Sequence, residues 1–198
     1  MMQTPFSLDT MLYQITSLLL EVAAGLIAST CLLRLYMQYQ RIPMSARSGN
    51  PMGNFIFAVT DWLVLPLRKI VRPLGRWDLA SLVGAYLVEL ARFGLLWLIS
   101  GLAGGPLPLL VYALFALVYL CLYGITVMVI AYAVLSWVQS DSAAGDLLQR
   151  LVMPVLNPIR RVLPLVGGID LSPLVLLVAV QILLIVMGNV QAAVLVAL

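Results

Sequence analysis

Histidine is missing from all 198 residues. With it go the commonest metal ligand, the commonest general base and the usual axial haem ligand. Metal or haem chemistry carried by this chain alone is therefore not expected. Cysteine occurs twice, at Cys31 and Cys121, each inside an apolar run. No CxxC pair is present, so there is no disulfide framework, and a thiol in such a setting behaves as a small hydrophobe. Charge is scarce: Asp, Glu, Lys and Arg make up 10% of the chain, where a soluble domain carries about a quarter. There is no GxSxG, no P-loop and no other phosphate-binding glycine signature. The expectation is a chain that is not an enzyme and holds no cofactor.

What is present is apolar. Hydrophobic residues make up 63% and the mean hydropathy is +1.09, which places the chain in a membrane. The N-terminus MMQTPFSLDTML lacks the basic region of a secretory signal, and the apolar run after it is long enough to span. A net charge of +3 is explained by basic loops on one side of a membrane, and no recognisable nucleic-acid module accompanies it, so no nucleic-acid partner is expected.

A helix rises about 1.5 Å per residue and the hydrocarbon core is about 30 Å thick, so about 20 apolar residues suffice to cross. Four stretches qualify: about 11–36, 79–100, about 109–137 and about 171–194. Residues 37–53 form a polar loop with Pro43, Gly49 and Pro51, and 101–108 is a short uncharged turn. Two further segments, 54–74 and about 146–163, are apolar but carry a polar stripe. The fold expected is all-α and polytopic. Basic residues fix its orientation. Arg41, Arg47, Arg68, Lys69, Arg72 and Arg76 lie between spans one and two, and Arg150, Arg160 and Arg161 between spans three and four. The other connections and the ends carry none, so both basic segments are expected in the cytoplasm and both termini on the opposite side.

The chain repeats itself. Residues 53–83 align without a gap on 145–175, pairing Gly53 with Gly145, Pro66 with Pro158, Arg68 with Arg160, Gly75 with Gly167 and Asp78 with Asp170. Lys69 and Arg161 keep the charge. Matches of Pro, Arg, Gly and Asp are costly to obtain by chance in so apolar a chain. Each unit is span, loop, amphipathic segment, turn, span, in residues 1–100 and again in 109–198. Two spans return a unit to its starting side, so the two repeats are parallel, not inverted.

The run VLSWVQSD followed by NPIRRVLPLVGGIDLSPLVLLVAVQ resembles the YggT family of bacterial inner-membrane proteins, also found in plastids. LLRLYMQYQ with PLRKIVRPLGRWDLASLV is similar to the same motif in a more divergent form. The resemblance covers roughly residues 12–190. It implies a small multi-span envelope protein without enzymatic activity, linked to osmotic-stress tolerance, to cell division or nucleoid distribution, or to cytochrome maturation. The first unit departs from the motif in carrying Arg76-Trp77 where the second has Gly168-Ile169.

Taken as a helix, 146–163 gathers Asp146, Gln149, Arg150, Asn157, Arg160 and Arg161 on one stripe and a broad apolar face opposite. Asn54, Asp61, Arg68, Lys69 and Arg72 make a similar stripe in the first unit. Such helices either lie in the interface with their arginines toward anionic headgroups, or pack their apolar face on the spans. Pro66, Pro154 and Pro158 are expected to bend or divide them. Gly167 and Gly168 permit a sharp re-entry turn, after which Asp170 or Ser172 caps the fourth span, as Asp78 caps the second.

Ionisable groups inside the spans complete the candidates. Glu21 lies in span one; Glu89 lies in span two with Arg92 three residues on; Gln181 stands at the position equivalent to Glu89. They form either intramembrane pairs or a polar path at the repeat interface. Arg34 is expected to snorkel from the end of span one, and Trp62, Trp77, Trp137 and Tyr36 to anchor at the interfaces. Two functions follow. One is a scaffold or assembly factor whose Arg68, Lys69, Arg72, Arg150, Arg160 and Arg161 meet the anionic inner leaflet and another membrane complex or a second copy. The other is a small-ion channel or transport component lined by Glu21, Glu89 and Gln181.

Overall fold

The structure, a computed structural model, describes residues 8–45, 50–102, 105–138, 142–163 and 170–197. Among them are six α-helices and no named strand: α1 (Leu8–Tyr39), α2 (Gly53–Ile70), α3 (Leu79–Ile99), α4 (Leu107–Val138), α5 (Ala143–Val162) and α6 (Ser172–Val196). Four of these, α1, α3, α4 and α6, are long and apolar enough to cross a membrane. Even α3, with 21 residues, extends about 31 Å, the thickness of a hydrocarbon core. The chain is thus a multi-pass membrane protein built as two units of span, short helix, span.

Within each unit the short helix packs on both of its spans: α2 on α1 and α3, α5 on α4 and α6, while α3 and α4 join the units. Small residues allow the close approach in the first unit. Ala28 and Cys31 of α1, Val64 of α2 and Ala80 and Ala85 of α3 form one buried cluster with Leu117 of α4. The second unit closes with larger side chains, Val129, Val152, Leu156, Leu176 and Val180. A third cluster is the seam between units, where Met37, Ile42, Met44 and Ile56 meet Leu147 and Leu151 of α5. Tyr36 belongs to this seam: its hydroxyl donates to the Leu151 carbonyl at 2.8 Å and accepts from the Gln40 amide at 2.9 Å. It links the two units.

The helix ends follow local chemistry. Ser142 caps α5 by accepting the Gly145 N–H at 3.1 Å, with Asp146 in the first turn and Arg160 and Arg161 in the last, as the helix dipole favours. Neither short helix is divided by its prolines; α2 runs through Pro66, and α5 through Pro154 and Pro158. The turn from α2 to α3 is a four-residue hairpin, Leu74 and Trp77 exchanging backbone bonds of 3.1 and 3.0 Å. Gly75, at its first central position, has φ +61°, where a side chain is strained. Arg76, at the next position, is not among the residues with positive φ. This explains why the first unit tolerates Arg76 opposite Gly168 yet keeps Gly75. Gly167 and Gly168 themselves, and the Trp137 side chain, lie outside the described residues.

Candidate functional site

The most distinctive residues of the repeat come together at the ends of the short helices. Arg68 sits in the last turn of α2, and its guanidinium reaches across the hairpin to Asp78, with Nη2 2.5 Å from Oδ2 and Nε 3.4 Å from Oδ1. The Ser81 hydroxyl donates to Asp78 Oδ2 at 2.7 Å. The Gln38 amide, oriented by these neighbours, donates to Asp78 Oδ2 at 3.0 Å and accepts from Arg68 Nη2 at 2.8 Å. Asp78 is buried. It stands at the N-cap of α3, but its carboxylate makes no cap bond; the expected capping role is replaced by a clasp between α2 and α3. Burial opposes its ionisation, yet the bonds from Arg68 and Ser81 outweigh that and hold its pKa below the usual carboxylate value.

The second unit repeats the clasp. Arg160 Nη2 lies 2.5 Å from Asp170 Oδ2, and Nε donates to the same oxygen at 2.8 Å. Asp170 also accepts the Ser172 N–H at 2.9 Å, so here pairing and a capping-type bond coexist. Ser172 is the first residue of α6, and the N-cap position falls on Leu171. The Tyr132 hydroxyl and Met153 sulfur complete the surroundings of Arg160 at 3.3 and 3.0 Å. Burial again opposes ionisation of Asp170 and is outweighed by Ser172 and Arg160, so its pKa is lowered; Arg160 is raised, Tyr132 and Asp170 outweighing its burial. Arg68 and Arg160 are therefore engaged inside the protein. Lys69, Arg72, Arg150 and Arg161 are exposed, and no ion pair engages them among the described residues.

The apolar faces of the short helices are packed on the spans in part and exposed in part. In α5 the buried residues are Leu147, Leu151, Val152 and Leu156, and Asp146, Gln149, Arg150, Asn157 and Arg161 face outward. In α2, Ile56, Thr60 and Val64 are buried while Phe55, Trp62 and Leu65 stay exposed. Trp77 is exposed as well, its ring 4.7 Å from that of Tyr39.

Arg34 does not snorkel. It is buried, donating to Thr60 Oγ1 at 2.6 Å and Asp61 Oδ1 at 2.7 Å, with its guanidinium 5.0 Å from the Phe57 ring centre. Sequence reasoning missed this network. The signal available was Asp61 on a stripe otherwise basic at its far end, with no local partner.

Within the spans, Glu89 and Arg92 form the anticipated pair, Oε2 to Nε 3.0 Å. The contact lacks hydrogen-bond geometry, and neither atom has another partner. Together with Glu21 they line a cavity of about 490 Å³ whose wall also includes Tyr112, Tyr119 and Tyr123 of α4 and Gln191 of α6. Gln181 is not there. It is exposed on α6, because equivalence in the repeat does not bring α6 to the place α3 occupies beside α1. The amide that α6 contributes is Gln191, ten residues on. Among the described residues no group of three or more His, Cys, Asp or Glu could hold a metal ion.

A family model described as CCB3/YggT matches the chain twice, over residues 10–99 and 111–191, one match for each unit. Among curated relatives, a Pseudomonas aeruginosa protein is 33% identical over 179 residues, covering 88% of this chain and 89% of its own length. A Vibrio alginolyticus protein named for its position in the proC 3′ region is 32% identical, covering 88% of this chain and 94% of the relative. The Escherichia coli K12 protein named YggT is 31% identical, covering 83% and 85%. No solved structure matches.

Proposed function

We propose that this chain, which belongs to the CCB3/YggT family, is a non-enzymatic factor of the bacterial inner membrane that scaffolds or helps assemble another membrane complex. Its basic ends face the cytoplasm and both termini the other side, as the arginine distribution favours. The observation that carries the reading is the division of labour among the basic residues. Arg68 and Arg160 are held by Asp78 and Asp170, whereas Lys69, Arg150 and Arg161 stay exposed on the same two helices and Arg72 stays exposed just past the end of α2.

Clasped to their spans, α2 and α5 present fixed cationic surfaces at headgroup height. On α2 the exposed Phe55, Trp62 and Leu65 supply an apolar flank that suits the acyl–headgroup boundary. Cations so placed attract anionic lipids, at about 1 kcal/mol per residue near the surface, and can meet acidic segments of a partner. The link to osmotic tolerance or cell division belongs to this reading. The test is affinity capture from membranes with Lys69, Arg72, Arg150 and Arg161 changed to Glu. Loss of co-purifying membrane proteins, with the variant still folded and inserted, supports the scaffold; an unchanged set of partners ends it.

The cavity beside Glu21, Glu89 and Arg92 favours a second reading, a component of small-ion transport. Flux into liposomes that survives both Glu21→Gln and Glu89→Gln removes those residues from any path.

A further inference from the structure

The cavity among the spans has an uneven charge balance. Glu89 is 1% exposed and stands against Arg92, so those two charges compensate one another. Arg92 in turn lies 4.3 Å from the Phe93 ring centre. Glu21 lines the same cavity, and among the described residues no ion pair or hydrogen bond engages it. A carboxylate at that depth is costly unless something cationic meets it. The Glu89–Arg92 contact is itself incomplete, since Glu89 Oε2 and Arg92 Nε have no hydrogen-bond partner. The cavity therefore brings together an exposed carboxylate with no partner among the described residues, Glu21, and buried polar atoms whose hydrogen bonds are incomplete.

Its walls narrow the choice of occupant. A dehydrated metal ion needs a shell of about six oxygen ligands, and no such cluster of acidic side chains is present among the described residues. An organic cation needs less: one counter-charge, aromatic faces and room. Tyr112, Tyr119 and Tyr123 supply the rings. Tyr119 and Tyr123 stack on each other, centroids 6.5 Å apart. The volume of about 490 Å³ lies within the range of roughly 300–1,000 Å³ typical of small-molecule sites. Aromatic faces attract a desolvated ammonium or phosphonium through their quadrupoles.

We propose that this cavity is a binding site for a monovalent, lipophilic organic cation, its charge against Glu21 and its apolar body against the α4 tyrosines. The site stands apart from the cationic surface of α2 and α5, and it does not require that anything be transported.

The probe is tetraphenylphosphonium, measured by equilibrium dialysis against the full-length protein in maltoside micelles, which carry no cation of their own. Saturable binding is expected. Glu21→Gln should weaken it about tenfold or more, the scale of losing one charged partner, and Tyr119→Leu by about threefold to tenfold. Glu21→Asp should retain most of the affinity, and Gln181→Leu, on the outer face of α6, all of it. Glu21 is an exposed side chain, so its neutral variant is expected to fold, and unchanged thermal unfolding verifies that. Displacement by a short-chain phosphatidylethanolamine assigns the natural cation to a lipid headgroup; displacement by phenyltrimethylammonium alone assigns it to a soluble compound. Equal binding of the anion tetraphenylborate, or phosphonium binding unchanged in both Glu21→Gln and Tyr119→Leu, overturns the proposal.

Discussion

Arg68 and Asp78 are ten residues apart in sequence and 2.5 Å apart in space, and the same distance separates Arg160 from Asp170. The pair is what each unit most specifically preserves, because it ties the end of the short helix to the start of the following span. The copies are not equally deep. The Asp78 side chain is 4% exposed, that of Asp170 29%. Removing either carboxylate leaves an arginine that water reaches, Arg68 being 36% and Arg160 32% exposed, so neither change strands a buried charge. The copies differ in that Asp78 also accepts from Ser81 and Gln38 inside the protein. Asp78→Asn is therefore expected to lower stability by about 2 kcal/mol, from the disturbed buried hydrogen bonds, and Asp170→Asn by about 1 kcal/mol. Thermal unfolding of the two variants in one detergent checks the order, and a larger loss from Asp170→Asn contradicts it.

Acid should open the same clasps. Both carboxylates titrate below their ordinary value in the folded protein. Each therefore contributes stability that is fully present above the unfolded-state pKa, about 3.9. That contribution is lost as pH falls through the depressed folded value. The unfolding temperature should be insensitive to these groups above about pH 5 and fall below about pH 4. In Asp78→Asn the acid-dependent part should shrink. An acid slope identical in wild type and in the doubly neutral Asp78→Asn/Asp170→Asn protein would show that other groups control it.

Backbone approach makes a third prediction. A Cβ built on Gly53 would lie 2.1 Å from the Met44 carbonyl oxygen, a backbone atom that cannot swing aside. Gly53→Ala must displace either the start of α2 or the loop holding Met44. Both belong to the seam in which Met44 and Ile56 meet Leu147 and Leu151. The expected loss is about 2–3 kcal/mol, in the range of overpacking. Gly75→Ala meets no atom within 4 Å but keeps φ +61°, so it should cost only about 1 kcal/mol, the left-handed strain of one residue. Circular dichroism melts of the pair separate steric clash from strain.

Much of this architecture is legible in the amino-acid order because membrane burial and repetition leave strong signals. The four spans, the two short helices and the Arg68/Arg160 and Asp78/Asp170 matches all come from periodicity and alignment. Local pairs are legible too: Glu89 and Arg92 share a helix face at three residues' spacing, and the structure joins them. Partners across helices are not. Arg34 meets Asp61 over 27 positions, and that depends on how α2 is rotated against α1, which no spacing rule specifies. Asp78 looks like a cap because a cap is local, whereas its stronger partner arrives from the preceding helix. Gln181 is equivalent to Glu89 in the repeat, but the units contribute different faces to the junction, and Gln191 occupies the cavity wall instead.

The Arg34 network yields the most discriminating stability test, because the second unit dispenses with it on the short-helix side. At the positions equivalent to Thr60 and Asp61 stand Val152 and Met153, and Val152 is fully packed. Arg34 is 2% exposed while Asp61 is 39% exposed, so the two single deletions are not symmetrical. Asp61→Met leaves a buried guanidinium with only Thr60 and the Phe57 ring, at an expected cost of about 3–5 kcal/mol. Arg34→Met leaves a carboxylate that water can reach, and Thr60 still donates to the Ile56 carbonyl at 2.6 Å. Its cost should be smaller, about 1–2 kcal/mol, mainly lost packing of the long side chain. The triple variant Arg34→Met/Thr60→Val/Asp61→Met imports the apolar solution of the second unit and should recover most of the stability lost in Asp61→Met, since replacing a whole buried pair by packed hydrophobes is often neutral. A triple variant no more stable than Asp61→Met would mean that the charges themselves specify the docking of α2 on α1.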